Sequence, residues 1–317
     1  MLSRVAENIY WLTRYVERAE NTARVLKVNT QLMLDTPKGV SPGWLPLISI
    51  AGLDQQFTDC CDDDSESSVV RFLISGEANP GSIVNSLKNA RENCRTVREV
   101  LPRLTWELLN ELSLYAKDHA KKGISKRGRE DYLNDIIAGS QRFGGMLASV
   151  LYRDEGYHFA RIGRNLERSD MTTRILDVRS TDLFDDDQIE SRTLDALQWM
   201  SVLKSMSGYQ TYRRHVQIRV SRGPALHYLL QDMRFPRSVA HCLGTVEESV
   251  AAFVNSKKTL ASIRKTARLI AHIDTDKLPQ KELHQMMDDI QLGIQHIHAA
   301  LAESYFMNFE STSQQAV

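Results

Sequence analysis

Residues 14–26 read RYVERAENTARVL, and residues 164–176 read RNLERSDMTTRIL. Aligning Glu17 with Glu167 sets an offset of 150 and superposes Arg14 on Arg164, Arg18 on Arg168, Thr22 on Thr172, Arg24 on Arg174 and Leu26 on Leu176. Upstream and downstream of the first copy, apolar residues recur at Val5, Ile9, Leu12, Val16, Ala19, Ala23, Leu26 and Met33. Steps of three and four residues describe a helix with one apolar seam. At about 100° per residue, Tyr10, Arg14, Glu17, Arg18, Asn21 and Arg24 fall on the opposite face.

A second pair of segments repeats in the same order. NPGSIVNSL, residues 79–87, resembles FPRSVAHCL, residues 235–243, at an offset of 156, with FLI at Phe72 and YLL at Tyr228 ahead of them. Two matched blocks in one order point to two halves, about 1–152 and 153–310, followed by a disordered tail at 311–317. The helical pattern at 131–152 runs straight into the second copy, so the halves are expected to share one core as a single domain. Further helical patterns cover 83–100, 103–120 and 281–309, and no stretch alternates as a strand does. The expected class is all-α, a bundle of about ten to twelve helices.

Composition narrows the function classes. Of 317 residues, 42% are hydrophobic and 25% charged, as in an ordinary globular protein. The 40 basic side chains balance 40 acidic ones, which argues against a broad nucleic-acid surface. Nothing resembles a leader peptide or a run of about 18 apolar residues, so a soluble, cytoplasmic protein with no membrane contact is expected. Cys60, Cys61, Cys94 and Cys242 have neither zinc nor disulfide-framework spacing, and are expected as reduced, mostly buried thiols. The acidic stretch DCCDDDSESS reads as an exposed loop with N-caps, and KKGISKRGRE as an exposed basic turn. SGYQTYRRHVQIRVSRG is either a solvated helix end or a contact surface for an acidic partner.

The repeated charges pose the functional question. Glu20 with Arg24 and Asp170 with Arg174 are favourable i,i+4 pairs, yet Arg14 with Arg18 and Arg164 with Arg168 are like-charge i,i+4 neighbours. Both copies therefore need a counter-charge from outside their own helix, unless the face is simply solvated. One supplier is the other half, with Glu17 facing Arg164 or Arg168 and Glu167 facing Arg14 or Arg18. The other is a ligand carboxylate or phosphate on the arginine forks, with Glu17 or Glu167 orienting them or exchanging a proton. Tyr10 and Trp11 either wall such a pocket or pack. Glu155 and His158 have the Glu-x-x-His spacing of di-iron bundles, but the second set of ligands is missing, so no metal is expected. No phosphate loop or nucleophile elbow is present, and no cofactor is expected.

The segments MLSRVAENIYWLTRYVERAENTARVL and LYRDEGYHFARIGRNLERSDMTTRILDV, with YQTYRR and FPRSVAHCL, give the whole chain a resemblance to the bacterial alpha-E family. The resemblance places the family's Glu-Arg motif on Glu17-Arg18 and Glu167-Arg168, with Thr13 and Ser169 standing where Gly and Ala are expected. It implies an all-helical fold and an accessory role beside a circularly permuted ATP-grasp amide ligase and a transglutaminase-like protein, sometimes near a proteasome-like hydrolase. An acidic peptide or amino acid is the ligand this context suggests. An enzyme in the same pathway, with Glu17 or Glu167 as acid or base, is the alternative.

Overall fold

A computed structural model describes residues 1–35, 43–179 and 189–306. The first half contains α1 Ser3–Asp35, α2 Pro46–Ala51, α3 Asp54–Cys60, α4 Glu66–Ser75, α5 Ile83–Thr96, α6 Arg103–Asp118, α7 Ala120–Ile124 and α8 Arg129–Val150. The second contains α9 Glu155–Arg179, α10 Ile189–Ser205, α11 Tyr209–His215, α12 Arg222–Leu230, α13 Val239–Ala251, α14 Lys257–Ala271 and α15 Gln280–Leu301, ending in a π-helical turn over Ala302–Phe306. The described residues are all-α. Their fifteen α-helices exceed the ten to twelve expected because short helices such as α2, α3, α7 and α11 have too few turns to show a period. The expected tail at 311–317, and the last helical positions to 309, lie outside the described residues.

The two longest segments carrying the Glu-Arg repeat, α1 and α9, lie against each other at the centre. Around α1 pack α5 and α8, with α6 bridging those two; around α9 pack α13 and α15, with α14 between them. Connections cross over: α2, which follows α1, packs on α9, and α10, which follows α9, packs on α1. Buried apolar residues from both halves form one contiguous cluster.

Local devices match at the aligned blocks. Ser82 caps α5 by accepting from Asn85 N at 3.3 Å, and Ser238 caps α13 by accepting from His241 N at 3.1 Å. Each hydroxyl satisfies one of the orphan amides at a helix start. Where α2 ends, Gly52 takes φ 68 and lies so close to Arg174 that a Cβ would stand 2.5 Å from its Nη1. Beyond the end of α10, Ser207 takes φ 53, and its Oγ accepts from Arg24 Nη1.

The α1 backbone lies close against α9 at Gly163, where a Cβ would lie 2.2 Å from the carbonyl oxygen of Tyr10 and 2.5 Å from Thr13 Oγ1. Thr13, aligned with Gly163, turns its hydroxyl to the carbonyls of Ile9 and Tyr10 on its own helix. The apolar seam of α1 is thus only one of two buried faces. Tyr10, Arg14, Glu17, Asn21 and Arg24 on the charged side are buried as well, covered by α9 together with His298 and Phe306 over Tyr10, Arg237 over Asn21 and Ser207 over Arg24. A solvated Glu-Arg face is thereby excluded.

Away from this centre, Asp62, Asp63 and Asp64 are exposed and Ser65 caps α4, accepting from Ser68 N at 3.3 Å. The basic turn at 121–130 is not uniformly exposed. Arg129 is buried, bonded to Glu66 at 2.7 Å and stacked on Trp44. The YQTYRR segment splits likewise: Tyr212 is core, edge-on to Tyr228, whereas Arg213 and Arg214 are exposed. The four cysteines are free, but only Cys94 and Cys242 are buried. Cys60 is exposed and Cys61 half-buried, because α3 ends at the surface loop.

Candidate ligand-binding site

Across the α1–α9 contact the carboxylates are exchanged. Glu167 accepts from Arg14 Nε at 2.7 Å, and from Arg18 through Nε at 2.5 Å and Nη2 at 3.0 Å. Glu17 accepts a fork from Arg168, Nε at 3.0 Å and Nη2 at 2.8 Å, but nothing from Arg164. In place of Arg164, Arg237 Nη1 donates to Glu17 Oε1 at 2.8 Å and to Asn21 Oδ1 at 2.8 Å, while its Nη2 reaches Glu20 at 2.8 Å. Glu20 also holds Arg24, at 2.6 Å from Nη2. Arg174 pairs with Asp170 at 2.9 Å.

Charge fixes the protonation of this network. Burial raises the pKa of Glu17, but Arg168 and Arg237 outweigh it and hold the carboxyl down to about 2, against an ordinary 4.5. Burial likewise raises Glu167, and Arg18 and Arg14 bring it to about 2. Both are carboxylates at neutral pH, each saturated by charged donors.

The aligned arginines Arg14 and Arg164 meet opposite surroundings. Arg14 is enclosed: its Nη1 donates to Tyr10 Oη at 3.0 Å, and its guanidinium lies 5.1 Å from the Trp11 ring centre. Tyr10 Oη is also hydrogen-bonded with His298 Nδ1 at 2.8 Å, and burial, then Arg14, lowers the pKa of that imidazole. Tyr10 and Trp11 therefore cover an arginine and do not line the pocket described next. At Arg164 the aligned positions are Ala160 and Arg161. No cover forms.

A pocket of about 350 Å³ opens there, between α1, α8 and α9. Its charged side carries Arg164, Glu17, Glu20, Arg24, Arg168 and Arg237. Three of those guanidinia, Arg24, Arg168 and Arg237, share two carboxylates, and Arg164 adds a fourth with none. Among the described residues, the buried Nε of Arg164 has no hydrogen-bond partner. Burial, then the neighbouring Arg168, pushes its pKa below the ordinary guanidinium value. Glu17 attracts Arg164 without a hydrogen bond to it, while Arg168 repels it. The Oγ of Ser140, buried on α8 at the same pocket, is also unpartnered.

Other candidates lie elsewhere. Glu155 accepts from the amino group of Met1, and His158 packs edge-on against Phe253. Neither belongs to the group that places three possible metal ligands within 4.8 Å among the described residues: Asp177, His284 and Asp288. That group is an exposed ion pair, with His284 Nδ1 2.6 Å from Asp177 Oδ1. His284 and Asp288 stand four residues apart on α15, but Asp177 lies 107 residues before His284, so the sequence does not show that the three meet.

Comparison with known proteins accords with this architecture. A family described as a predicted alpha-helical domain with a conserved ER motif matches residues 1–306. The chain belongs to the Alpha-E family. A Glu-Arg dipeptide occurs in this Alpha-E chain only at Glu17-Arg18 and Glu167-Arg168, the two pairs exchanged across α1 and α9. The uncharacterized protein Mb2597 of Mycobacterium bovis is 25% identical over 259 residues, and the uncharacterized protein Rv2567 of Mycobacterium tuberculosis 24%. The alignments cover 76% of this chain and 28% of each relative, so the chain spans less than a third of the proteins it matches. No solved structure matches. Among the described residues, no helix is long and apolar enough to cross a membrane.

Sequence reasoning missed Arg237, which replaces Arg164 on Glu17. Its signal was present: Pro80-Gly81-Ser82 aligns with Pro236-Arg237-Ser238, so one copy carries a guanidinium where the other carries no side chain.

Proposed function

We propose that this protein is an accessory helical module that holds an anionic substrate, an amino acid or peptide carboxylate, for a separate ATP-grasp-type amide ligase, with a transglutaminase-like protein as a further partner. The observation that carries the ligand part is Arg164, a guanidinium without a carboxylate lining the pocket between α1, α8 and α9. The partner part rests on the family resemblance of the Glu-Arg segments. The competing reading, an enzyme using Glu17 or Glu167 as acid or base, fits the site poorly. A proton carrier works best with a pKa near the working pH, whereas both carboxyls sit at about 2 with every oxygen engaged.

Acetate titrated against an equal ionic strength of sodium chloride tests the ligand part. Binding to the native state raises the melting temperature with ligand concentration. The wild-type midpoint is expected to rise in acetate beyond the chloride control, and the Arg164→Gln midpoint to follow chloride alone. Equal behaviour of acetate and chloride with the wild type would overturn the anion-holding reading. Co-purification with an ATP-grasp ligase encoded in the same genome tests the partner part.

A further inference from the structure

The pocket has a second wall that the charge network does not use. Along α8, Phe143, Leu147 and Leu151 present one helix face to the cavity, and Val16 and Ala160 close it from α1 and α9. Polar side chains interrupt that apolar surface at Thr13, Ser140, Gln141 and Tyr157, and the Ser140 hydroxyl lies buried behind it without a partner. The charged side is also more selective than a count of arginines suggests. Arg24, Arg168 and Arg237 are engaged by Glu17 and Glu20, and Arg161 pairs with Glu248 at 3.2 Å. Among the described residues that line the pocket, Arg164 is the one guanidinium without a carboxylate partner, which suits a single carboxylate better than a dianion that needs several cations.

The rim supports access from solvent. Gly144 and Gly145 lie side by side inside α8, where glycine costs about 0.5–1 kcal/mol relative to alanine. Packing does not require them: a Cβ on Gly145 would meet nothing within 4 Å, and one on Gly144 would meet only Arg164 Nη1, at 3.6 Å. Both line the pocket, and the missing side chains keep its mouth clear.

We infer that the pocket takes a monocarboxylate joined directly to an apolar group, as in the C-terminal residue of a peptide ending in a leucine-like side chain, with the carboxylate on Arg164 and the apolar group against Phe143, Leu147 and Leu151. A cavity of about 350 Å³ is at the small end of ligand pockets and holds one such residue. This inference rests on the anion-holding reading and narrows it to one chemical class.

Calorimetric titration of the full chain with N-acetyl-L-leucine, N-acetyl-L-leucinamide, acetate and inorganic phosphate tests it. N-acetyl-L-leucine is expected to bind at least roughly tenfold more tightly than acetate, the increment of filling an apolar subsite. The uncharged amide is expected not to bind. Leu147→Ala should lose most of the leucine increment while keeping acetate binding, which also shows that the variant is folded. Gly145→Leu should block the mouth and abolish binding of N-acetyl-L-leucine without lowering stability. Equal affinities for acetate and N-acetyl-L-leucine would overturn the apolar-wall inference and leave the anion reading intact. Phosphate binding more tightly than any carboxylate would overturn the carboxylate assignment, and binding of none of the four probes would overturn both readings.

Discussion

The Arg14 side and the Arg164 side of the α1–α9 contact start from similar sequences and end as opposites. On the first, two arginines close on one glutamate, Tyr10 and Trp11 cover Arg14, and His298 on α15 completes the lid. On the second, Arg237 takes the bond to Glu17 that Arg164 would otherwise make, and Ala160 stands where Tyr10 covers its arginine. Gly81, aligned with Arg237, leaves space beside Arg18: a Cβ there would lie 3.5 Å from Arg18 Cδ. Three differences between the aligned segments, Tyr10 against Ala160, Trp11 against Arg161 and Gly81 against Arg237, thus separate a closed ion cluster from a pocket with a spare cation.

The largest way to break that comparison is Glu167→Gln. It removes the carboxylate that neutralises both Arg14 and Arg18, and uncompensated buried charge costs about 3–5 kcal/mol, measured by urea denaturation. Glu17→Gln should cost less, since Arg237 keeps Glu20 and Asn21. Acid acts on both sides together. The two carboxyls are depressed from 4.5 to about 2, so their stabilisation is complete above pH 4.5 and is lost as pH falls toward 2. A stability profile across that window should slope downward with falling pH, and less steeply in Glu167→Gln.

Tyr10→Phe probes the cover on the closed side alone. It removes an acceptor for Arg14 and a hydrogen-bond partner of His298, worth about 1 kcal/mol. The smallest effect is expected at Arg164→Gln, within about 0.5 kcal/mol of wild type or slightly stabilising, since no carboxylate loses a partner. A loss there as large as that of Glu167→Gln would erase the distinction between the two sides.

The helical class, the repeat of the two Glu-Arg segments and the N-caps in the acidic loop were legible because each depends on local spacing. The need for an outside counter-charge was legible too, from the like-charge pairs Arg14 with Arg18 and Arg164 with Arg168. The choice between partner half and ligand was not. It depends on Arg237, about 70 residues beyond Arg168 in the chain, and on the face that α8 turns toward Arg164, and neither follows from helix periodicity. Burial of the charged face was equally hidden, since a helix covered on both sides has the same sequence pattern as one with a solvated polar face.

Gly163 has a mechanical consequence. With the Tyr10 carbonyl 2.2 Å from where its Cβ would be, α1 and α9 are already in close contact, and the short bonds of both glutamates leave little room for sliding. Backbone contact as well as charge therefore fixes how the two helices sit against each other.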